Sequence, residues 1–131
     1  MAIDHPWVGV GISCSVVAWP LYAPGNIRIR KSLAIHNTFL EVLSETGLFG
    51  FSFYLLLLGS VFHSARQVFR IWSGTDNSGL VQLTTALAIS FLGFLVCAFS
   101  GPYALSWFPY ILMALMACAK TMSEWSYEYI R

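Results

Sequence analysis

Residues 46–65 and residues 77–119 contain no Lys, Arg, Asp or Glu. Within them apolar positions run almost without a break, as in Leu55-Leu56-Leu57-Leu58. A helix that crosses a bilayer needs about 20 such residues. The first stretch therefore predicts one crossing, over residues 47–65. The second predicts two, over residues 80–99 and 103–119, separated by a turn at Ser100-Gly101-Pro102. Pro109 falls inside the last of these, where neighbouring helices or water must satisfy the backbone group it frees. Residues 66–79 form a polar link with Arg66, Arg70 and Asp76 between the first two crossings. Residues 120–131 form an amphipathic tail whose Trp125, Tyr127 and Tyr129 suit a membrane interface. The fold class predicted is an all-α, multi-pass transmembrane helical bundle, with three crossings after an outer segment.

The pattern upstream is different. Residues 5–27 are uncharged, but Pro6, Pro20 and Pro24, with Gly9, Gly11 and Gly25, interrupt them repeatedly. Proline removes a backbone donor and clashes with the preceding turn. An extended or looped segment on the membrane surface is predicted, with Trp7, Trp19 and Tyr22 at headgroup level. Arg28, Arg30 and Lys31 follow as the densest cationic cluster. A short amphipathic helix is predicted over residues 37–46. Asn37 or Thr38 can cap it. Phe39, Leu40, Val42 and Leu43 lie on one side, and Glu41, Ser44 and Glu45 on the other.

Composition agrees with this reading. Charged residues make up 10% of the 131 and hydrophobic residues 57%, whereas a soluble domain carries about a quarter charged. The net charge of +1 and the lack of a basic stripe give no nucleic-acid footprint. Cys14, Cys97 and Cys118 are too scattered for a disulfide framework or a zinc site. No signal-peptide pattern opens the chain. If residues 66–79 and the tail share one side, that side holds Arg66, Arg70, Lys120 and Arg131, against Arg28, Arg30 and Lys31 opposite. The positive-inside bias then places the tail in the cytoplasm. The three outer cations would be retained to bind an anion.

The candidate chemistry gathers just before the first crossing. Arg28 and Arg30 can clasp phosphate oxygens in a bidentate manner. His36 can exchange a proton near neutral pH. Cleaving a lipid diphosphate needs both, one to stabilise charge on the leaving group and one to activate an incoming hydroxyl. On residue type alone other roles stay open. A basic cluster before a helix also serves as a headgroup contact, and an interfacial His as a cap or packed ring. Glu41 and Glu45 can pair with Arg28 or Arg30 or line the site, with Glu41 better suited to a solvated face. His5 suits a turn, and His63 suits snorkelling at the far end of the first crossing. No phosphate loop, zinc motif or nucleophile elbow is visible.

At His36 the sequence resembles a known family. His36-Asn37, nine residues, then Gly47-Leu48-Phe49-Gly50 resembles the H-[NSQ]-x9-G-x-x-G signature of the bacterial O-antigen ligases. Upstream, His5-Pro6-Trp7-Val8-Gly9-Val10-Gly11 resembles a segment that precedes this signature in the wider ligase and polymerase superfamily. The resemblance covers most of the chain, the last two helices only in hydropathy. It implies the C-terminal part of a longer multi-pass protein of the bacterial inner membrane, whose N-terminal helices this chain lacks. Residues 1–36 would then end a large periplasmic loop, and residues 1–46 would lie on the periplasmic side. It further implies a glycosyltransferase that moves a glycan from undecaprenyl diphosphate to a hydroxyl, with lipid A core as the acceptor for a ligase. No metal and no cofactor are implied. The family's essential His falls on His36, as the base or as a diphosphate-stabilising group. Its diphosphate-binding arginines lie further upstream, so Arg28 and Arg30 are given that role here from charge and proximity. Asn37, Glu45, Gly47 and Gly50 are expected to support the site. Gly47 and Gly50 would do so by letting a neighbouring helix approach. A polymerase of O-antigen or exopolysaccharide and a non-enzymatic transport or assembly subunit remain as alternatives.

Overall fold

The computed structural model describes residues 1–22, 35–72 and 78–130. Among them are four helices and no strand: α1 (Ser15–Tyr22), α2 (Thr38–Trp72), α3 (Ser78–Ala98) and α4 (Trp107–Ile130). The amphipathic segment and the first crossing are thus one helix, interrupted at Gly47, whose φ of 64° and ψ of −165° are not helical. Residues 66–72 of the expected polar link continue α2. The tail, through Ile130, continues α4.

Three expectations need correction. Residues 15–22 are not extended but form α1, with Pro20 inside it. Proline breaks helices by removing a bond to the preceding turn, but α1 is only 8 residues long and ends two residues later. The last helix starts at Trp107 rather than near residue 103. Pro109 therefore sits in a first turn, where its missing N–H had no intrahelical acceptor to lose. Ser106 caps this turn, its Oγ accepting the Phe108 N–H at 3.4 Å.

The chain divides into two compact units, Met1–Leu55 with Val96–Leu105 and Leu56–Leu95 with Ser106–Arg131. In the first, early α2 is buried on its polar side as well as on part of its apolar side. Thr38, Val42, Ser44 and Glu45 are buried, while Leu40 is exposed. Polar groups can be buried there because two loops supply hydrogen-bond partners. Phe39 packs against the rings of Tyr54 and Phe99, at centroid distances of 6.5 and 4.9 Å.

The second unit has an apolar core at heptad spacing. The buried positions at this spacing are Leu58, Val61, Ala65, Val68 and Trp72 on α2, Thr84, Leu87, Phe91 and Phe94 on α3, and Leu112, Met116, Ala119 and Ser123 on α4, with Pro109 and Met113 buried beside them. Alternating steps of three and four residues keep one seam turned inward. Phe91 stacks edge-on to Phe62 at 5.7 Å and lies 5.9 Å from Phe94. Trp72 donates its indole N–H to the Ser123 hydroxyl at 2.8 Å, both buried.

Two helices among the described residues are long and apolar enough to cross a membrane, Thr38–Trp72 and Gly79–Ala98. Only 22% of the most apolar 18-residue stretch of each is buried within the protein. A core helix of a soluble protein would be mostly covered. Here Phe53, Leu56, Ile89 and Val96 stand 63–73% exposed. At about 1.5 Å per residue, Thr38–Trp72 exceeds a hydrocarbon layer of roughly 30 Å. The uncharged residues 46–65 match that thickness, which leaves Glu41 and Glu45 outside the span.

Candidate functional site

The break in α2 is where the two sequence motifs meet. A helix that stops at Thr46 leaves its last carbonyls free, and one that restarts at Leu48 leaves its first N–H groups free. The segment around Gly9 satisfies both sets. Val10 N–H donates to Ser44 O and Gly11 N–H to Glu45 O, each at 2.9 Å. In return, Leu48 N–H donates to Pro6 O at 2.7 Å and Phe49 N–H to Trp7 O at 3.4 Å. The Trp7 ring lies over Phe49, 5.6 Å away.

Such a crossing of backbones leaves no room for side chains. A Cβ on Gly47 would strike the carbonyl carbon of Trp7, and one on Gly9 would strike that of Glu45. Both glycines have positive φ, 64° and 67°, a region that L side chains seldom adopt. This corrects the expected role of the glycine pair. Gly47 accommodates the Trp7–Val8 backbone, not a neighbouring helix. Gly50 makes room for the Thr46 side chain, one turn earlier on α2.

Glu45 ties the same loop down a second time. Its carboxylate is buried and accepts the Ser13 N–H at 2.7 Å, the Ser15 N–H at 3.3 Å and the Ser15 hydroxyl at 2.6 Å. It therefore caps the start of α1, where the helix dipole favours negative charge.

The other flank of early α2 holds the loop before α4. Asn37 is the N-cap, its Oδ1 accepting the Leu40 N–H at 3.0 Å. Its Nδ2 donates to Phe99 O at 3.2 Å. The buried Thr38 hydroxyl donates to Gly101 O at 2.7 Å and accepts the Tyr103 N–H at 2.9 Å. Glu41 Oε2 accepts the Ala104 N–H at 3.4 Å, so Glu41 faces this loop rather than forming a freely solvated face. Burial pushes the Glu41 carboxyl above its usual value; the Ala104 N–H opposes this and the nearby Glu45 adds to it.

His36 stands immediately before the Asn37 cap and is exposed. It opens onto a cleft of about 570 Å³ whose other walls include Trp19, Tyr22, Ile35, Leu40 and Leu43. The cleft is mostly apolar, with the imidazole at its edge. Of the expected site residues, the structure brings together His36, Asn37, Glu45, Gly47 and Gly50 in one unit. Arg28 and Arg30 lie outside the described residues. No protein-family model, no curated protein and no solved structure matches the chain.

Sequence reasoning missed Ser13, Ser15 and Thr38 as partners of the site. Thr38 adjoins the recognised cap and its side chain was legible as a donor. The serines carried no signal, because their role depends on a carboxylate thirty residues away.

Proposed function

We propose that this chain is part of a membrane glycosyltransferase of the O-antigen ligase type. In the proposed reaction a hydroxyl oxygen of the acceptor attacks the anomeric carbon of a glycan carried on undecaprenyl diphosphate. The bond to the diphosphate oxygen breaks, and the hydroxyl proton passes to His36 as general base. Arg28 and Arg30 would stabilise the departing diphosphate. Three crossings, a bacterial inner membrane and a periplasmic site for residues 1–46 belong to the same proposal.

One observation carries the reading most directly. The segment His5–Gly11 and the segment His36–Gly50, which resemble two motifs of that superfamily, hold each other through four backbone hydrogen bonds. Their contact in space supports reading two motifs that are far apart in sequence as parts of one site. Two further features agree. His36 lines an apolar cleft wide enough for part of a lipid chain. Tyr22 and Ile35, the residues on either side of the stretch that carries Arg28 and Arg30, line it too.

The test is His36→Ala in the complete gene, read as glycan attached to lipid A core at matched membrane levels of protein. Loss of transfer is expected. Normal transfer by this variant rejects the proposal and favours a non-enzymatic subunit. Altered glycan chain length with intact attachment would instead assign a polymerase.

A further inference from the structure

A second polar cluster lies at the other end of the long helix, remote in sequence from His36. His63, Arg66, Gln67 and Arg70 line one cleft of about 290 Å³. Their spacing of three, four and seven residues puts all four on one face of α2. His63, Arg66 and Arg70 are exposed and Gln67 is half-buried. Twenty uncharged residues, 46–65, precede Arg66. From Leu48, where the helix restarts, to Ala65 they measure about 27 Å, close to one hydrocarbon thickness. Arg66 is therefore the first charge after the uncharged run, a position that suits the depth of lipid phosphates.

The neighbouring surface bears on what such a face attracts. On α4, Lys120 pairs with Glu124 at 3.8 Å. This pair uses an acidic group close in sequence to Ser123, which packs on Trp72. No salt bridge joins Arg66 to an acidic residue among the described residues.

We propose that His63, Arg66, Gln67 and Arg70 form a binding site for the phosphate of an anionic phospholipid. The Arg66 guanidinium takes two phosphate oxygens in its planar fork. Arg70 adds a second positive charge one turn further on, His63 donates from the membrane side, and Gln67 donates from beside Arg66. The volume suits a headgroup, not a sugar chain. Binding here would fix the depth and rotation of α2 in the bilayer. The site does not depend on the glycosyl-transfer reading, and a failure of either leaves the other standing.

The experiment uses the full chain, purified in a mild detergent and stripped of lipid. Thermal unfolding is followed with added phosphatidylglycerol, with phosphatidylcholine and with inorganic phosphate. Phosphatidylglycerol is expected to raise the midpoint by about 4 °C or more, and phosphatidylcholine to leave it unchanged. Added salt should reduce the shift in the unaltered protein. The double variant Arg66→Gln, Arg70→Gln should lose it. Equal stabilisation by phosphatidylcholine, or a shift that survives both salt and the double variant, overturns the site. An equal shift from inorganic phosphate alone overturns the assignment to lipid. Because the lipid and salt comparisons use the unaltered protein, they decide the matter even if the variant fails to fold.

Discussion

The Ser15 hydroxyl donates to Glu45 Oε1 at 2.6 Å, away from solvent and across thirty residues of chain. Glu45 also accepts two backbone N–H groups there, from Ser13 and Ser15. Removing a charged acceptor strands all three donors. Glu45→Ala should destabilise the protein by roughly 2–4 kcal/mol. Ser15→Ala, which removes one hydroxyl donor, should cost about 1 kcal/mol. Thermal or denaturant unfolding of the two variants checks the order. Equal effects would show that the carboxylate is not the centre of this network.

The crossing of backbones at Gly9 and Gly47 predicts a second result. Alanine at either position combines positive φ with a collision against main-chain atoms that cannot move aside. Gly47→Ala and Gly9→Ala should each destabilise by about 2 kcal/mol or more. Limited proteolysis should then cut near residues 9–13 sooner in both variants than in the parent. Unchanged cleavage would mean that the loop does not depend on this contact.

Gly50 offers a suppressor test. Its missing side chain makes room for Thr46 Oγ1 and Cβ, and Thr46 Oγ1 itself donates to Val42 O at 2.8 Å. Gly50→Ala should lower the unfolding midpoint. Adding Thr46→Gly should restore part of the loss, although glycine in a helix costs about 1 kcal/mol. A double variant less stable than the sum of the two single ones would contradict the contact.

Glu41 predicts a pH dependence. Its folded pKa lies above the unfolded value, chiefly because burial disfavours the charged form. Between the two values the folded state holds more protons, so stability falls as pH rises through that window. The favourable contribution is complete below the unfolded value, near 4.5, and gone above the folded one. Unfolding midpoints of the parent and of Glu41→Gln, measured from pH 4 to pH 8, should converge at the acid end and differ most at neutral pH. A gap that does not change with pH would remove Glu41 as its source.

Much of this was readable from residue order. The cap was readable as one of two neighbours, Asn37 or Thr38, and the structure gives the role to Asn37. The unbroken apolar stretch after Thr46 marked a helix suited to lipid. The N-terminal helix was not readable, because prolines and glycines argue against it locally and its cap, Glu45, lies far along the chain. The polarity of early α2 also misled. Its polar face is buried as well as part of its apolar one, and periodicity alone assigns polar faces to water.

The sequence by itself determined the all-helical class and the presence of two membrane-compatible apolar helices, because uncharged apolar runs fold only with their backbone bonds satisfied internally. It also placed His36 beside a helix start. Only the tertiary structure decided that His5–Gly11 lies on the break at Gly47, and that Glu45 holds α1 rather than facing solvent. Those outcomes rest on hydrogen bonds between residues about thirty or more positions apart, and no local pattern encodes which distant backbone will supply a missing partner.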